Sequence, residues 1–191
     1  MNFKFGLPLN FNKWLDDNSH LLKPPVGNQQ IWQNSDYMVT VVGGPNKRTD
    51  FHDDPVEEFF YQFKGEAHVL VWDRGQYEKV HLREGDIWLM APHVIHSPQR
   101  PNPGSLCLVI EHKRPKEKHD ALQWSCACCG TLIKRYEMSL QSIVKDLPPV
   151  YEQFYATTTE ERTCPNCQTV HPGREYVEWH KTLYENFKHL E

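Results

Sequence analysis

Between residues 31 and 112 the apolar positions fall in short runs broken by glycine, proline and charged pairs. Tyr37–Val42 is β-branched and aromatic, a composition that favours a half-buried pleated strand. Glu58–Phe63 and Ala67–Trp72 flank a turn at Lys64-Gly65, and Tyr77–Leu82 and Ile87–Leu89 flank another at Glu84-Gly85-Asp86. Leu106–Glu111 is a further apolar strand. Short strands at this spacing predict a β-sandwich or barrel. Helical periodicity is confined to the ends. Leu15–Leu22 carries it up to Pro24-Pro25, where proline blocks continuation. In 175–191 the spacing of Tyr176, Trp179, Leu183 and Phe187 predicts an amphipathic helix. No internal repeat or low-complexity tract is evident.

The chain has 191 residues, the length of one domain or one domain with a small appendage. The charged, proline-containing stretch Lys113–Lys118 reads as a linker. The pattern therefore divides the chain into 1–112 (strands with an N-terminal helix and arm), 113–175 (linker and cysteine-rich region) and 176–191 (helical tail). With 21 Lys and Arg against 25 Asp and Glu the formal charge is −4, and no basic cluster stands out. That balance points away from nucleic acid and anionic membranes. The N-terminus has no basic start followed by an apolar run, so a cytoplasmic location is expected.

Two constellations carry candidate metal chemistry. His52, then Glu58 six positions on, then His96 could converge inside a barrel. Two imidazoles and one carboxylate occupy one face of an octahedral ion and leave the opposite face open, the ligand set of non-haem Fe(II) oxygenases. The second constellation is Cys126-x-x-Cys129 and Cys164-x-x-Cys167, with 34 residues between the pairs. Two such turns make a tetrahedral S₄ site that accepts zinc or a single rubredoxin-like iron, and spacing does not choose between them. Cys128 has the poorer ligand spacing, and Cys107 lies in an apolar run as a small core residue. Arg48 and Asp50 precede His52, Arg100 follows His96 by four, and Glu111 ends an apolar strand. An arginine facing a barrel interior is costly unless it meets an anion, which points to an acidic substrate or to O₂ reduction that builds negative charge. Asp53, Asp54 and Glu57 read as surface or supporting groups rather than ligands.

The spacing Glu58-x₆-Gly65 followed by His96 resembles the cupin family, with Asp54 where a further histidine would stand and Ala91 and His93 in place of a Pro and a Gly. Longer stretches sharpen the likeness: Leu21–Asn28, Val42-Gly43-Gly44-Pro45-Asn46, Arg48-Thr49-Asp50-Phe51-His52, Glu57–Gln62 and His96-Ser97-Pro98-Gln99-Arg100. From about Phe11 to Gly173 the chain resembles the 3-hydroxyanthranilate 3,4-dioxygenases, in the form with two cysteine pairs. That resemblance implies a mainly β cupin double-stranded β-helix with a small C-terminal Cys₄ extension. It also implies a homodimer, an aromatic substrate and O₂. His52, Glu58 and His96 would hold catalytic Fe²⁺, and Cys126, Cys129, Cys164 and Cys167 a second iron or zinc. Arg48, grouped with Asp50 as catalytic, would stand beside O₂. Arg100 would take the substrate carboxylate, while Glu58 and Glu111 would contact the substrate. The rivals are a cupin thiol dioxygenase or sugar isomerase, or a non-enzymatic cupin binding protein.

Overall fold

The computed structural model describes residues 6–22 and 27–191, so the Pro24-Pro25 stop lies outside the described residues. The N-terminal helix α1 (Phe11–Asn18) starts four residues earlier than the periodicity suggests, because the Asn10 side chain caps it by accepting from the Lys13 N–H. A short 3₁₀ turn, Ser19–Leu21, follows.

Among the described residues, eleven strands form two antiparallel sheets. In chain order they are β1 (Asn28–Gln30), β2 (Tyr37–Gly43), β3 (Phe51–Asp53), β4 (Glu58–Lys64), β5 (Ala67–Asp73), β6 (Gln76–Leu82), β7 (Ile87–Met90), β8 (Ile95–Gln99), β9 (Leu106–His112), β10 (Asp120–Ser125) and β11 (Leu132–Met138). One sheet runs β1-β2-β9-β4-β7 and the other β11-β10-β3-β8-β5-β6. The mainly β, two-sheet barrel expected of a cupin is therefore present. The turns at Gly65 and Gly85, both with positive φ, are corners where the chain passes between sheets. The tight hairpin is at Arg74-Gly75, joining β5 to β6 with φ of 47° and 82°.

Buried Phe60, Val69, Leu82, Met90 and Val109 fill the space between the sheets. A second core lies outside the six-stranded sheet. There α3 (Tyr176–Asn186) packs Trp179 and Leu183, both fully buried, against Phe51, Leu70 and Tyr77. The tail helix thus forms where its periodicity placed it. Strand alternation explains its importance, because Phe51 faces this outer core while its neighbour His52 faces inward.

A third core gathers Met38, Leu122, Trp124 and Leu140 under α2 (Ile143–Tyr155). Pro148 and Pro149 sit inside α2 and hid it from the sequence reading. Leu147 and Phe154 hold it in place, with Phe154 stacked 4.1 Å from Trp124. The sequence division at 112 does not mark an edge of the sheet: β10 pairs with β3 on one side and β11 on the other. No helix among the described residues is long and apolar enough to cross a membrane.

Candidate active site and thiolate centre

His52 and His96 are direct cross-strand partners on β3 and β8, so their imidazoles share the inner face of one sheet. Glu58 opens β4 in the opposite sheet. The three therefore meet at the seam between sheets, with ligand atoms within 4.8 Å of one another. Glu58 Oε1 lies 3.5 Å from His52 Nδ1 and 3.3 Å from His96 Nε2. All three are buried, whereas Glu57 points to solvent. His96 Nδ1 lies 2.8 Å from the Val94 carbonyl, which fixes Nδ1–H as donor and leaves the Nε2 lone pair facing Glu58. Burial pushes the Glu58 carboxyl up, but His96 and His52 outweigh it and hold it well below the usual carboxylate range. Two imidazoles and a carboxylate buried this closely suit a divalent ion with an open face.

Glu111 on β9 lies directly opposite Glu58 across the ladder. Like charges so placed repel unless a cation or a proton intervenes. Burial and Glu58 push the Glu111 carboxyl up. The Arg114 guanidinium Nη1 approaches Glu111 Oε2 to 2.7 Å, but off the hydrogen-bond axis, so Oε2 has no hydrogen-bond partner.

The two arginines differ. Arg48 forks onto Asp50 (Nη2 to Oδ2 2.6 Å), and the Tyr151 hydroxyl from α2 donates to the same oxygen at 3.4 Å. Arg100 is 2 % exposed, and among the described residues it makes no ion pair and its Nε has no hydrogen-bond partner. Burial lowers its pKa, only partly offset by the nearby Cys107 thiol. Asn46 clamps its backbone, donating to the Arg100 carbonyl at 2.9 Å and accepting its N–H at 2.7 Å.

Cys126, Cys129, Cys164 and Cys167 bring their sulfurs within 4.8 Å of one another, with the 126–167, 129–164 and 129–167 pairs at 3.5 to 3.6 Å. A tetrahedral site with 2.3 Å thiolate bonds sets its sulfurs roughly 3.8 Å apart, so these four can hold one ion. Here the structure corrects the absence of a repeat. Both pairs read Cys-x-x-Cys-z-Thr, with z (Gly130, Gln168) at positive φ. In both, the first cysteine's N–H donates to the threonine carbonyl and its own carbonyl accepts from z. Gly130 is required, since a Cβ there would fall 1.9 Å from the Trp72 ring. Cys128 stands outside the four, 3.5 Å from the Asn186 amide oxygen.

The profile of the family "3-HAO: 3-hydroxyanthranilic acid dioxygenase" matches residues 5–155. A 3-hydroxyanthranilate 3,4-dioxygenase from Cupriavidus pinatubonensis is 63% identical over 182 residues, 95% of this chain and 96% of that one. The chain belongs to the 3-hydroxyanthranilic acid dioxygenase family. Another 3-hydroxyanthranilate 3,4-dioxygenase, from Ruegeria pomeroyi, is 62% identical over 87% of this chain and 92% of its own. Among solved structures, a cupin-2 domain containing protein from Shewanella frigidimarina is similar over 56% of this chain and 94% of its own, at 19% identity and a TM-score of 0.43. The 3-hydroxyanthranilic acid dioxygenases are metal-dependent, ring-cleaving enzymes, and this member's candidate metal-binding groups are the four thiolates, the His52-Glu58-His96 triad and two sets that overlap it, His52-Asp54-Asp120 and Asp54-Glu58-Glu111.

Sequence reading missed two polar residues around the seam, Arg114 and Asp120. Asp54, read as a surface or supporting group, is a supporting one, 1 % exposed and joined to Arg114 (2.7 Å). Arg114 itself, read as linker charge, is 5 % exposed. Asp120 at the head of β10 is fully buried and lies 2.9 Å from His52 Nε2. The one available signal was an aspartate opening a stretch in which Ala121, Leu122 and Trp124 are apolar. Asp53 is also buried, bridging Arg135 and His93 at 2.7 and 2.9 Å.

The knuckles bear a prediction. Cys126→Ser or Cys164→Ser should lower the melting temperature by about 10 °C, the shift expected if about 3 kcal/mol of metal-coupled folding energy is lost in a chain of this size. Turnover per folded molecule should persist. Calorimetry, metal content and activity on the same samples make the check, and a well-folded variant without turnover would place the thiolates in the reaction.

Proposed function

We propose that this chain opens the aromatic ring of 3-hydroxyanthranilate with O₂, giving 2-amino-3-carboxymuconate semialdehyde, the precursor of quinolinate on the route from tryptophan to NAD. His52, Glu58 and His96 hold Fe²⁺, and the four thiolates hold a second iron or zinc. The observation that carries the reading is the pairing of a buried His-Glu-His triad with Arg100, a buried guanidinium lacking any anionic partner. When bound, Fe²⁺ would supply a Lewis-acidic, redox-active centre for the substrate and O₂.

The chain's own residues do the rest. Arg100 takes the ring carboxylate in a two-point fork and so decides which edge of the ring enters. Glu111 Oε2, free of a hydrogen-bond partner, accepts the phenol proton as the substrate docks. Burial alone would disfavour the charge on Arg48, but Asp50, Tyr151 and Glu58 together more than offset it, so a fixed positive charge is held ready for oxygen as it is reduced.

A homodimer fits the outer face of the five-stranded sheet, where Tyr61, Ile87 and Leu89 are 37, 67 and 58 % exposed and the cross-strand pairs Tyr61–Ile87 and Phe59–Leu89 extend one apolar patch. Light scattering at working concentration checks it, and a monomer would remove it.

The test is O₂ uptake by Fe²⁺-loaded protein with 3-hydroxyanthranilate, expected at one O₂ per substrate with loss of the aromatic absorbance. Turnover of a thiol or a sugar instead, or binding without oxygen consumption, would replace this reading by a rival cupin function.

A further inference from the structure

Behind His52 lies a buried polar array that the ring-opening chemistry above does not use. His52 Nε2 sits 2.9 Å from Asp120 Oδ1, on the side of the ring away from Glu58. Asp120 is in turn saturated by Arg114: Nε donates to both carboxylate oxygens at 3.0 Å and Nη2 to Oδ1 at 2.7 Å. The same Nη2 donates to Asp54 Oδ2 at 2.7 Å, and Nη1 donates to the His112 carbonyl at 3.0 Å while facing Glu111.

We infer that Asp120, locked by Arg114, is the positioning residue for His52: it holds the imidazole with its proton on Nε2, so that Nδ1 is the metal-binding nitrogen. The inference deepens the proposed iron site and rests on it.

The argument is one of elimination at each atom. A carboxylate accepts only, so the shared hydrogen atom must sit on Nε2. A neutral imidazole then has one lone pair left, on Nδ1, which faces Glu58 at 3.5 Å. Asp120 cannot leave to ligate the ion itself, because all its contacts to Arg114 would be stranded in a fully buried site. The two histidines therefore bind through different nitrogens. His96 gives its Nδ1 proton to the Val94 carbonyl and presents Nε2, while His52 does the reverse. Partners of this kind orient a ligand ring and raise its basicity, and their loss costs metal affinity. Arg114 adds a second consequence. One guanidinium grips Asp120 and faces Glu111, so the orientation of a metal ligand and the placement of the substrate-facing acid share a single anchor.

The test uses the full chain with zinc in its thiolate site. In protein whose histidines carry ¹⁵N, zinc as a diamagnetic stand-in at the triad should shift His52 Nδ1, while Nε2 keeps a slowly exchanging, downfield proton. Metal bound through Nε2 would overturn the inference and leave the triad intact. If neither nitrogen of His52 responds, the iron-site reading falls and takes the inference with it. Asp120→Asn should weaken Fe²⁺ binding about 10- to 100-fold, read by competition with a chromogenic chelator, with thiolate-site zinc unchanged. At saturating Fe²⁺ it should lower kcat with little change in KM. A lower melting temperature with unaltered Fe²⁺ affinity would make Asp120 merely structural. The unmutated spectrum decides the matter even if that variant does not fold.

Discussion

Glu58→Ala is expected to abolish ring opening, to about one thousandth of the parent rate or less, because a triad without its carboxylate forfeits the several kcal/mol that a well-held ion supplies. The barrel should survive. Glu58 faces Glu111 across the ladder, but in the metal-free chain His52 and His96 hold its carboxylate in the charged form, so removing it forfeits a favourable contact along with the repulsive one. Melting temperature without added iron should therefore fall modestly, while bound iron drops by one per chain. Glu57→Ala is the control: its side chain is exposed and one position out of register, and it should behave as the parent. Iron content, calorimetry and O₂ uptake on the two variants make the comparison. Full activity in Glu58→Ala would remove the triad from the reaction.

Arg100→Ala should raise KM by about one to two orders of magnitude and lower kcat, since a charge-assisted pair is worth about 1.5–3 kcal/mol and here also sets orientation. Arg100→Lys should recover only part, because a point charge cannot reproduce a fork. The decisive substrate is 2-aminophenol, which lacks the carboxylate. It should be poor for the parent and lose little more in Arg100→Ala. If both substrates suffered alike, Arg100 would be a structural group. A second effect has the opposite sign. Arg100 is buried and unpaired in the free chain, so Arg100→Met should raise stability without ligand and lose the parent's stabilisation by 3-hydroxyanthranilate.

What sequence made legible follows a physical divide. The long strands β2, β4, β5, β6 and β9 and the tail helix announce themselves, since each buries one face and its alternation or period survives in the residues. The short strands β3 and β8 do not. Phe51–Asp53 and Ile95–Gln99 read as polar, yet almost all of both is buried, because their polar side chains are the site and its supports. The same inversion explains which site residues could be read. His52, Glu58, His96 and the four cysteines carry spacing, which is local. The contacts that tie Asp120 and Arg114 to the site, with His52 and Asp54, reach more than 50 residues along the chain, and no local pattern records them.

β10 has a consequence for how such a chain can change. The strand runs from Asp120, behind His52, to Ser125, and the next residue is the first thiolate of the knuckles. The cysteine-rich region is therefore not an accessory that recombination could detach. Cutting the chain after 112 would strip β3 of its neighbour and leave a three-residue edge strand, carrying His52, open to pairing with other chains. Thiolates can be exchanged for other side chains by point mutation, provided something else closes the two loops. The strand that leads to them has no such freedom, so insertions and deletions should accumulate beyond Ser125 and not before it.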